Sequence, residues 1–517
     1  MFQKNRSSRV RILKKTEKMK TRLTLIAAFL LMTFSMSAQN VDDALRYSKL
    51  FYQGTARFEG MGGAFTALGG DLTSISLNPA GIAVFRSTEF TVSTQVNFKD
   101  NNSNFAGYNN DYQFSEFNLG QIGIVTAMTM GNGSGLKGLS FGYSYNRTNN
   151  YDAHIVIDGI SDASSMADYW ADLANGYNTW ELQDNTSAGY MAYDRLLIDT
   201  LSNSFTDYAS IFSYYGEDDP VYGQQTSRTI DNGGYTGEHT IVFGANMADK
   251  LYIGAGFGIT TMGYTGHYRH TEIDAENNVF DFVDFTYTDH FDADGTGWNF
   301  KIGAILRPVE MMRIGFSFAT PTYYHIDEYY YSNLSSYLDY NTPNDPDDDY
   351  EGVTEMDPNT YYYELNTPWR INTGIAFQIG TMGLISADYE YVDYTNAKFE
   401  HGADGYDFYD ENEEIRYELK GASNFRVGAE LRFGPTYIRG GYKYYGSAFA
   451  SGSLNEDADY NGYSAGIGYR QNKFYIDLSF SGLINYEKYM MYPNAWLEPV
   501  NMQNHDKILT GTVGLKF

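Results

Sequence analysis

Short runs in which apolar side chains alternate with small or polar ones recur along this chain from residue 88 to its end. Over 250–261, Leu251, Ile253, Ala255, Phe257 and Ile259 point one way, and Tyr252, Gly254, Gly256, Gly258 and Thr260 the other. The same period of two puts Trp298, Phe300, Ile302, Ala304 and Leu306 opposite Asn299, Lys301, Gly303 and Arg307. It also puts Phe425, Val427, Ala429, Leu431 and Phe433 opposite Arg426, Gly428, Glu430 and Arg432, and Phe474, Ile476, Leu478 and Phe480 opposite Tyr475, Asp477 and Ser479. A period of two is that of a strand with two unlike faces. The pattern predicts about fourteen strands, near 88–99, 116–129, 137–148, 238–247, 250–262, 297–307, 311–320, 366–378, 383–393, 423–433, 436–446, 462–470, 473–482 and 508–517.

The connections predicted between these runs alternate in length. Those at 131–136, 248–249, 308–310, 380–382, 434–435 and 471–472 are short, whereas 100–115, 149–237, 263–296, 321–365, 394–422, 447–461 and 483–507 are long. Short turns at one end and long loops at the other characterise a transmembrane barrel, and a soluble sandwich has no reason to alternate in this way. No later segment holds 18 apolar residues in a row, so a membrane-spanning reading requires a closed barrel, in which every backbone donor and acceptor is paired without water. The expected fold is therefore all-β, a transmembrane antiparallel barrel over 88–517 with its apolar face to lipid and its long loops (149–237, 263–296, 321–365, 394–422) outside. Segment 163–174 is a candidate helix within the longest loop.

Composition narrows the function. The chain has 48 Tyr, 33 Phe and 52 Gly but no Cys, and its formal net charge is −28. Without Cys there is no disulfide, thiolate ligand, cysteine nucleophile or lipidated cysteine. So negative a surface repels phosphate backbones, which excludes nucleic acid as a partner. A basic stretch through Arg22, the apolar run 23–34 and Ser35-Met36-Ser37-Ala38 read as a signal peptide over 1–38, with Met19 an alternative start. Export, a barrel and loop asymmetry together place the chain in the outer membrane of a Gram-negative bacterium. The last strand ends on Leu509, Gly511, Val513, Leu515 and Phe517, which resembles the terminal-strand signal read by the barrel assembly machinery.

Segment 39–87 does not alternate. It holds the Gly/Ala-rich run 60–70, Asp71, and Asn78-Pro79-Ala80-Gly81 just before the first strand. Small residues let a backbone pack closely against a wall, which favours a position inside the lumen. This stretch, at this position in a barrel of this size, resembles the N-terminal hatch of the FadL family of outer-membrane hydrophobic-compound transporters. The resemblance implies a lumen blocked by the hatch and passive, gated passage of hydrophobic molecules such as long-chain fatty acids, which leave sideways through a gap in the wall. It places Asn78, Pro79, Ala80 and Gly81 in the plug, with Pro79 fixing the backbone and Asn78 hydrogen-bonding to it. The other reading of Asn78–Gly81 is a turn into the first strand.

The inward set carries Lys301, Arg307, Arg313, Arg370, Arg426, Arg432, Arg439 and Lys443 beside Asp388, Glu390, Glu430 and Asp477. One reading is a network that stiffens the barrel and anchors the plug. The other is that Arg370 and Arg426 bind a ligand carboxylate while aromatic residues hold its tail. A second cargo, haem, is raised by His267 and His270, since all eight His fall in outer loops or near strand tops. A structural or adhesive barrel is a further alternative. An enzyme is not expected, because no nucleophile–base arrangement and no Gly-x-Ser-x-Gly elbow is placed for one. No metal or cofactor is expected, Asp345, Asp347, Asp348 and Asp349 reading as a solvated loop rather than a calcium site.

Overall fold

The computed structural model describes residues 40–130, 135–214, 221–279, 281–339 and 350–517. The signal-peptide reading of 1–38 and the acidic run 345–349 lie outside the described residues. Fourteen antiparallel staves close into one barrel. They are β1 (Glu89–Phe105), β2 (Tyr108–Thr129), β3 (Leu136–Asn150, resuming as Ala153–Ser161), β4 (Gln224–Met247), β5 (Leu251–Ile273), β6 (Phe282–Val309) and β7 (Met312–Ala319 and Tyr323–Leu338). They continue as β8 (Asn359–Asn366 and Arg370–Ile379), β9 (Gly383–Asp393 with Lys398–Glu400), β10 (Gly421–Phe433), β11 (Thr436–Tyr445), β12 (Tyr460–Arg470), β13 (Phe474–Tyr489) and β14 (Val500–Lys516). Closure is made by β1 against β14, in continuous register from Glu89↔Lys516 to Asn104↔Asn501.

The barrel is polar inside and apolar outside. Trp298, Phe300, Ile302, Phe425, Val427 and Ile476 are exposed, while Asn299, Lys301, Arg426, Glu430 and Asp477 are buried. The apolar rows of neighbouring strands form one belt, the surface that lipid covers in a transmembrane barrel. Among the described residues, no helix is long and apolar enough to cross a membrane.

The predicted strand positions hold, but several predicted loops are strand. Segment 100–115 is the top of the β1–β2 hairpin, paired out to Phe105↔Tyr108. Its turn is only Ala106 and Gly107, with φ of 49° and 87°, the conformation that a tight two-residue hairpin demands. Most of 263–296 is likewise the β5–β6 ladder, which runs to Ile273↔Asp284. Apolar alternation reports contact with lipid; above the belt both faces meet water or the outer lobe, so the pattern fades while backbone pairing continues. For the same reason most of the histidines assigned to loops lie on strands. The breaks in β7 and β8 fall at Pro321 and Pro368, which cannot donate to a ladder.

Segment 149–237 contributes the outer lobe. Ser165 caps the helix Met166–Ala174 in a capping box with Asp168, and the helix buries Trp170 against Phe285. One seam is incomplete. The β2–β3 ladder stops at Gln121↔Asn146. Beyond it the upper half of β3 pairs only with β4, and the side chains of Asn101 and Asn110 reach the carbonyls of His154 and Asp158 instead.

Candidate functional site

Residues 40–88 precede β1 and touch the inward faces of wall strands around most of the circumference. The segment is stiffened by its own polar side chains. Asn40 caps helix α1 (Val41–Ser48), and Thr55 caps helix α2 (Ala56–Gly60). The Thr55 hydroxyl donates to Asp71 at 2.8 Å, and Asp71 Oδ1 accepts from the Thr73 backbone at 2.9 Å. Asn78 is the next fastening. Its Nδ2 donates to the Thr66 carbonyl at 2.7 Å and its Oδ1 accepts from Ala80 N at 3.0 Å, capping a short 3-10 turn (Pro79–Val84) that has Pro79 in its first position. Gly81 completes the fold-back, its carbonyl accepting from Gly70 N at 3.0 Å. Asn78, Pro79, Ala80 and Gly81 are thus brought together, all buried, in one cross-linked turn.

The wall is shaped to receive this segment. A Cβ on Gly254 would overlap the Pro79 carbonyl, one on Gly315 would stand 2.7 Å from Ala67 Cα, and one on Gly441 would stand 2.8 Å from Gly62 Cα. At Gly428 and Gly374 the obstructions are Met61 and Thr66, with Met61 Cβ and Thr66 Cβ each at 2.9 Å. These glycines lie on five different staves, β5, β7, β11, β10 and β8. They are the sequence signal that was missed: an inward face with no side chain needs something else to fill it, and here that is the backbone of 61–80.

Polar wall groups complete the seat. Lys301 donates to Glu238 at 2.7 Å and to the Ser76 carbonyl at 2.9 Å, and Thr66 N donates to Asp388 at 2.7 Å. Arg57 grips Glu430 through two bonds of 3.0 and 3.1 Å, and Arg439 connects Glu430 to Asp477. Lys443 faces Glu59 at 3.6 Å. Arg370 and Arg426 both pair with Glu390, at 3.1 and 3.3 Å, and Arg370 also donates to the Ser48 carbonyl. All three of these side chains are buried, and their bonds link β8, β9 and β10 to one another and to the inner segment.

On the loop side of this seat is a cavity of about 590 Å³, between 42–53 and the staves β1, β3, β4 and β12–β14. Neither Arg370 nor Arg426 lines it; Lys49 does, together with Phe51, Tyr460, Asn97 and Glu487. The Lys49 ammonium lies 5.3 Å from the Tyr460 ring centroid and 5.7 Å from that of Phe449, and its only hydrogen bond among the described residues is to Tyr460 Oη at 3.5 Å. Burial pushes its pKa down, opposed by the Glu487 carboxylate. A partly desolvated cation framed by aromatic rings at a cavity wall can receive a carboxylate whose tail lies on those rings. The cavity reaches the β3 side of the incomplete β2–β3 seam, where Asn149, Asn150, Ala153 and Ile155 of β3 line it with Asn101 of β1.

The histidine pair divides. His270 points inward, fully buried, with Nε2 3.0 Å from Glu272. His267 points outward, with Nδ1 2.8 Å from Nδ1 of His290, which in turn bonds Asp292. Residues an odd number apart on a strand face opposite sides, so these two cannot share a haem.

An uncharacterised protein family, UPF0164, matches residues 25–145. No curated protein matches the chain. Among solved structures, a Pseudomonas aeruginosa FadL homologue is 12% identical with a TM-score of 0.54, covering 91% of this chain and 99% of its own. The P. putida toluene transporter TodX is 12% identical with a TM-score of 0.53, over 90% of this chain and 98% of its own. A TodX deletion mutant described as a monoaromatic hydrocarbon channel gives a TM-score of 0.54 at 11% identity, over 90% and 100%. Across nearly its whole described length, then, the chain has the closed fourteen-stave fold of the FadL-type barrels.

Proposed function

We propose that this chain is an outer-membrane member of the FadL family that passes hydrophobic small molecules, long-chain fatty acids among them, by passive gated diffusion. Residues 1–38 act as its export signal, and the strand ending at Phe517 as its address to the assembly machinery. Segment 39–87 is the plug, and Asn78, Pro79, Ala80 and Gly81 are the turn whose displacement opens it. The observation that carries this reading is the ring of wall glycines fitted to the backbone of 61–80, with the 590 Å³ cavity on the other side of it. A hydrophobic molecule enters that cavity from the loop end. A carboxylate head, where there is one, meets Lys49, because Arg370 and Arg426 are held on Glu390. The β2–β3 seam, which has no backbone ladder above Gln121 and Asn146, is the sideways exit. The relatives' names as hydrocarbon transporters support the cargo class, and the chain acts as a transporter rather than an enzyme.

Purified barrel in proteoliposomes tests this. Entry of toluene or dodecanoate into lumenal reporter-loaded vesicles should rise well above that of protein-free vesicles, and mass spectrometry should find a hydrophobic molecule co-purifying. Flux equal to that of empty vesicles leaves the adhesive or structural reading. An absorption band on adding haem would favour that alternative cargo, through a site other than the separated His267 and His270.

A further inference from the structure

A second cavity, of about 410 Å³, lies at the opposite end of the lumen, among the short turns. Its roof is Leu68, Gly69 and Gly70 of the inner segment, and its floor includes Gly380 and Thr381 of the β8–β9 turn. In a chain of net charge −28 this cavity is reversed in sign: Arg57, Arg86, Arg313, Arg432 and Lys516 line it against only Glu89 and Glu430. Three of those cations have carboxylate partners, Arg57 on Glu430, Lys516 on Glu89 at 3.0 Å, and Arg86 on Asp249 at 2.6 Å.

Arg313 and Arg432 have none among the described residues. Arg313 donates through Nη1 to the Leu68 carbonyl at 2.6 Å, and Arg432 through Nε to the Gly434 carbonyl at 3.0 Å. A guanidinium carries five N–H donors in a planar fork, so each keeps donors for an oxyanion. The wall between them, on β8 and β9, includes the small residues Ala376 and Gly383. The apolar side chains of Leu68, Val84, Phe85 and Leu384 share the lining with Gln378, Thr381 and Tyr437, whose ring centroid lies 5.6 Å from the Arg432 guanidinium. Two unspent guanidiniums, room between them and an apolar roof describe a receptor for an anion that carries a hydrocarbon tail.

We propose that this turn-end cavity binds the carboxylate of an amphiphile on Arg313 and Arg432, as a second station beyond the inner segment and distinct from Lys49. The assignment of that amphiphile as cargo rests on the transport reading above; the anion site itself does not. Its occupation also acts on the segment. An anion drawing Arg313 away from Leu68 releases one of the two guanidinium bonds to the loop 68–70, the other being Arg57 Nη1 to the Gly70 carbonyl at 3.2 Å.

The test is dodecanoate binding to the full barrel in an uncharged detergent, by titration calorimetry, for wild type, Arg313→Gln/Arg432→Gln and Arg313→Lys/Arg432→Lys. The Gln pair should lose about tenfold or more in affinity for one class of dodecanoate site, together with its salt dependence. The Lys pair should keep part of both, and dodecanol, which lacks the charge, should bind all three alike. Heat-dependent migration on gels confirms that each variant is folded. Dodecanoate binding equal in wild type and the Gln pair would overturn the site. Phosphatidylglycerol in nanodiscs displacing dodecanoate from it would overturn the cargo assignment, and a head-group site for the surrounding lipid would take its place. Toluene flux, which needs no anion site, reports separately on the transport reading.

Discussion

Gly303 on the wall and Asn78 in the inner segment occupy what is in effect one residue's space: a Cβ at position 303 would overlap Asn78 Oδ1 and stand 2.9 Å from Asn78 Cγ and 3.2 Å from Pro79 Cδ. Asn78 cannot yield freely, because its amide ties Thr66 to Ala80. Gly303→Ala therefore pushes the turn 78–81 off the wall. The β-ladder of β6 is untouched, so the barrel still assembles, at a cost of about 1–3 kcal/mol from overpacking. Single-channel recordings in planar bilayers should show open events in Gly303→Ala that wild type lacks, and Gly254→Ala, which meets Pro79, should do the same. Silent channels in both variants would mean that this turn does not close the lumen.

Glu390 is the shared anion of Arg370 and Arg426, and Asn424 donates to it as well, at 2.8 Å. Removing its charge leaves two buried guanidiniums against one another. Glu390→Gln should destabilise the barrel by about 3–5 kcal/mol, the usual consequence of leaving a buried charge without its partner. Arg426→Gln, which leaves Arg370 to balance Glu390, should be the milder change. Urea unfolding of the refolded barrel measures both. A larger loss in Arg426→Gln than in Glu390→Gln, or a loss of dodecanoate affinity with no loss of stability, would return Arg426 to the ligand site.

The barrel was legible in the sequence because each strand in the belt has one face against lipid, and alternation such as Ile253 against Tyr252 records that contact directly. The turns followed from the same pattern, since Gly434-Pro435 and Ala248-Asp249 interrupt it sharply. Above the belt the record stops: Arg269, Thr271 and Thr288 are strand residues with no apolar partner face to mark them. The turn Asn78–Gly81 was visible as a motif, but its seat was not, because Gly254, Gly303 and Gly441 are informative only once the backbone opposite them is known. Lys49 was passed over for the wall arginines for a related reason. Sequence shows which charges point inward but not which are already paired, and the partner that decides this for Arg370 and Arg426, Glu390, meets them only once the neighbouring staves are aligned.

Lys49 supplies a prediction with a direction in pH. Burial lowers its pKa from the ordinary lysine value, so it loses its proton at a lower pH than a solvated lysine. A carboxylate binds the ammonium and not the amine. Dodecanoate affinity at the loop-side cavity should therefore fall as pH rises through that lowered pKa, whereas dodecanol affinity stays level. Lys49→Gln should weaken dodecanoate about five- to tenfold at pH 7 and abolish the alkaline fall. Titration calorimetry between pH 7 and 10 separates the cases; a fall in wild type and Lys49→Gln alike would assign it to another group.

Asp289, on β6 above the belt, gives the outer sheet its own pH dependence. Desolvation raises its carboxyl to about 6, despite the opposing charge of Arg228. The folded sheet thus binds this proton more tightly than the unfolded chain, whose aspartates titrate near 4. The sign follows by linkage: the favourable contribution of the protonated form is complete below the unfolded value and is lost as pH rises from about 4 to about 6. At pH 7.5 the ionised carboxylate is the less stable state of the site, so Asp289→Asn should raise the stability of the outer sheet by about 1–3 kcal/mol there and change little at pH 4. Amide hydrogen exchange over 282–290 and 323–338, followed at both pH values, reads this locally, where whole-barrel unfolding would dilute it. Exchange slowed equally at the two pH values would show that the gain comes from the amide's packing rather than from the lost charge.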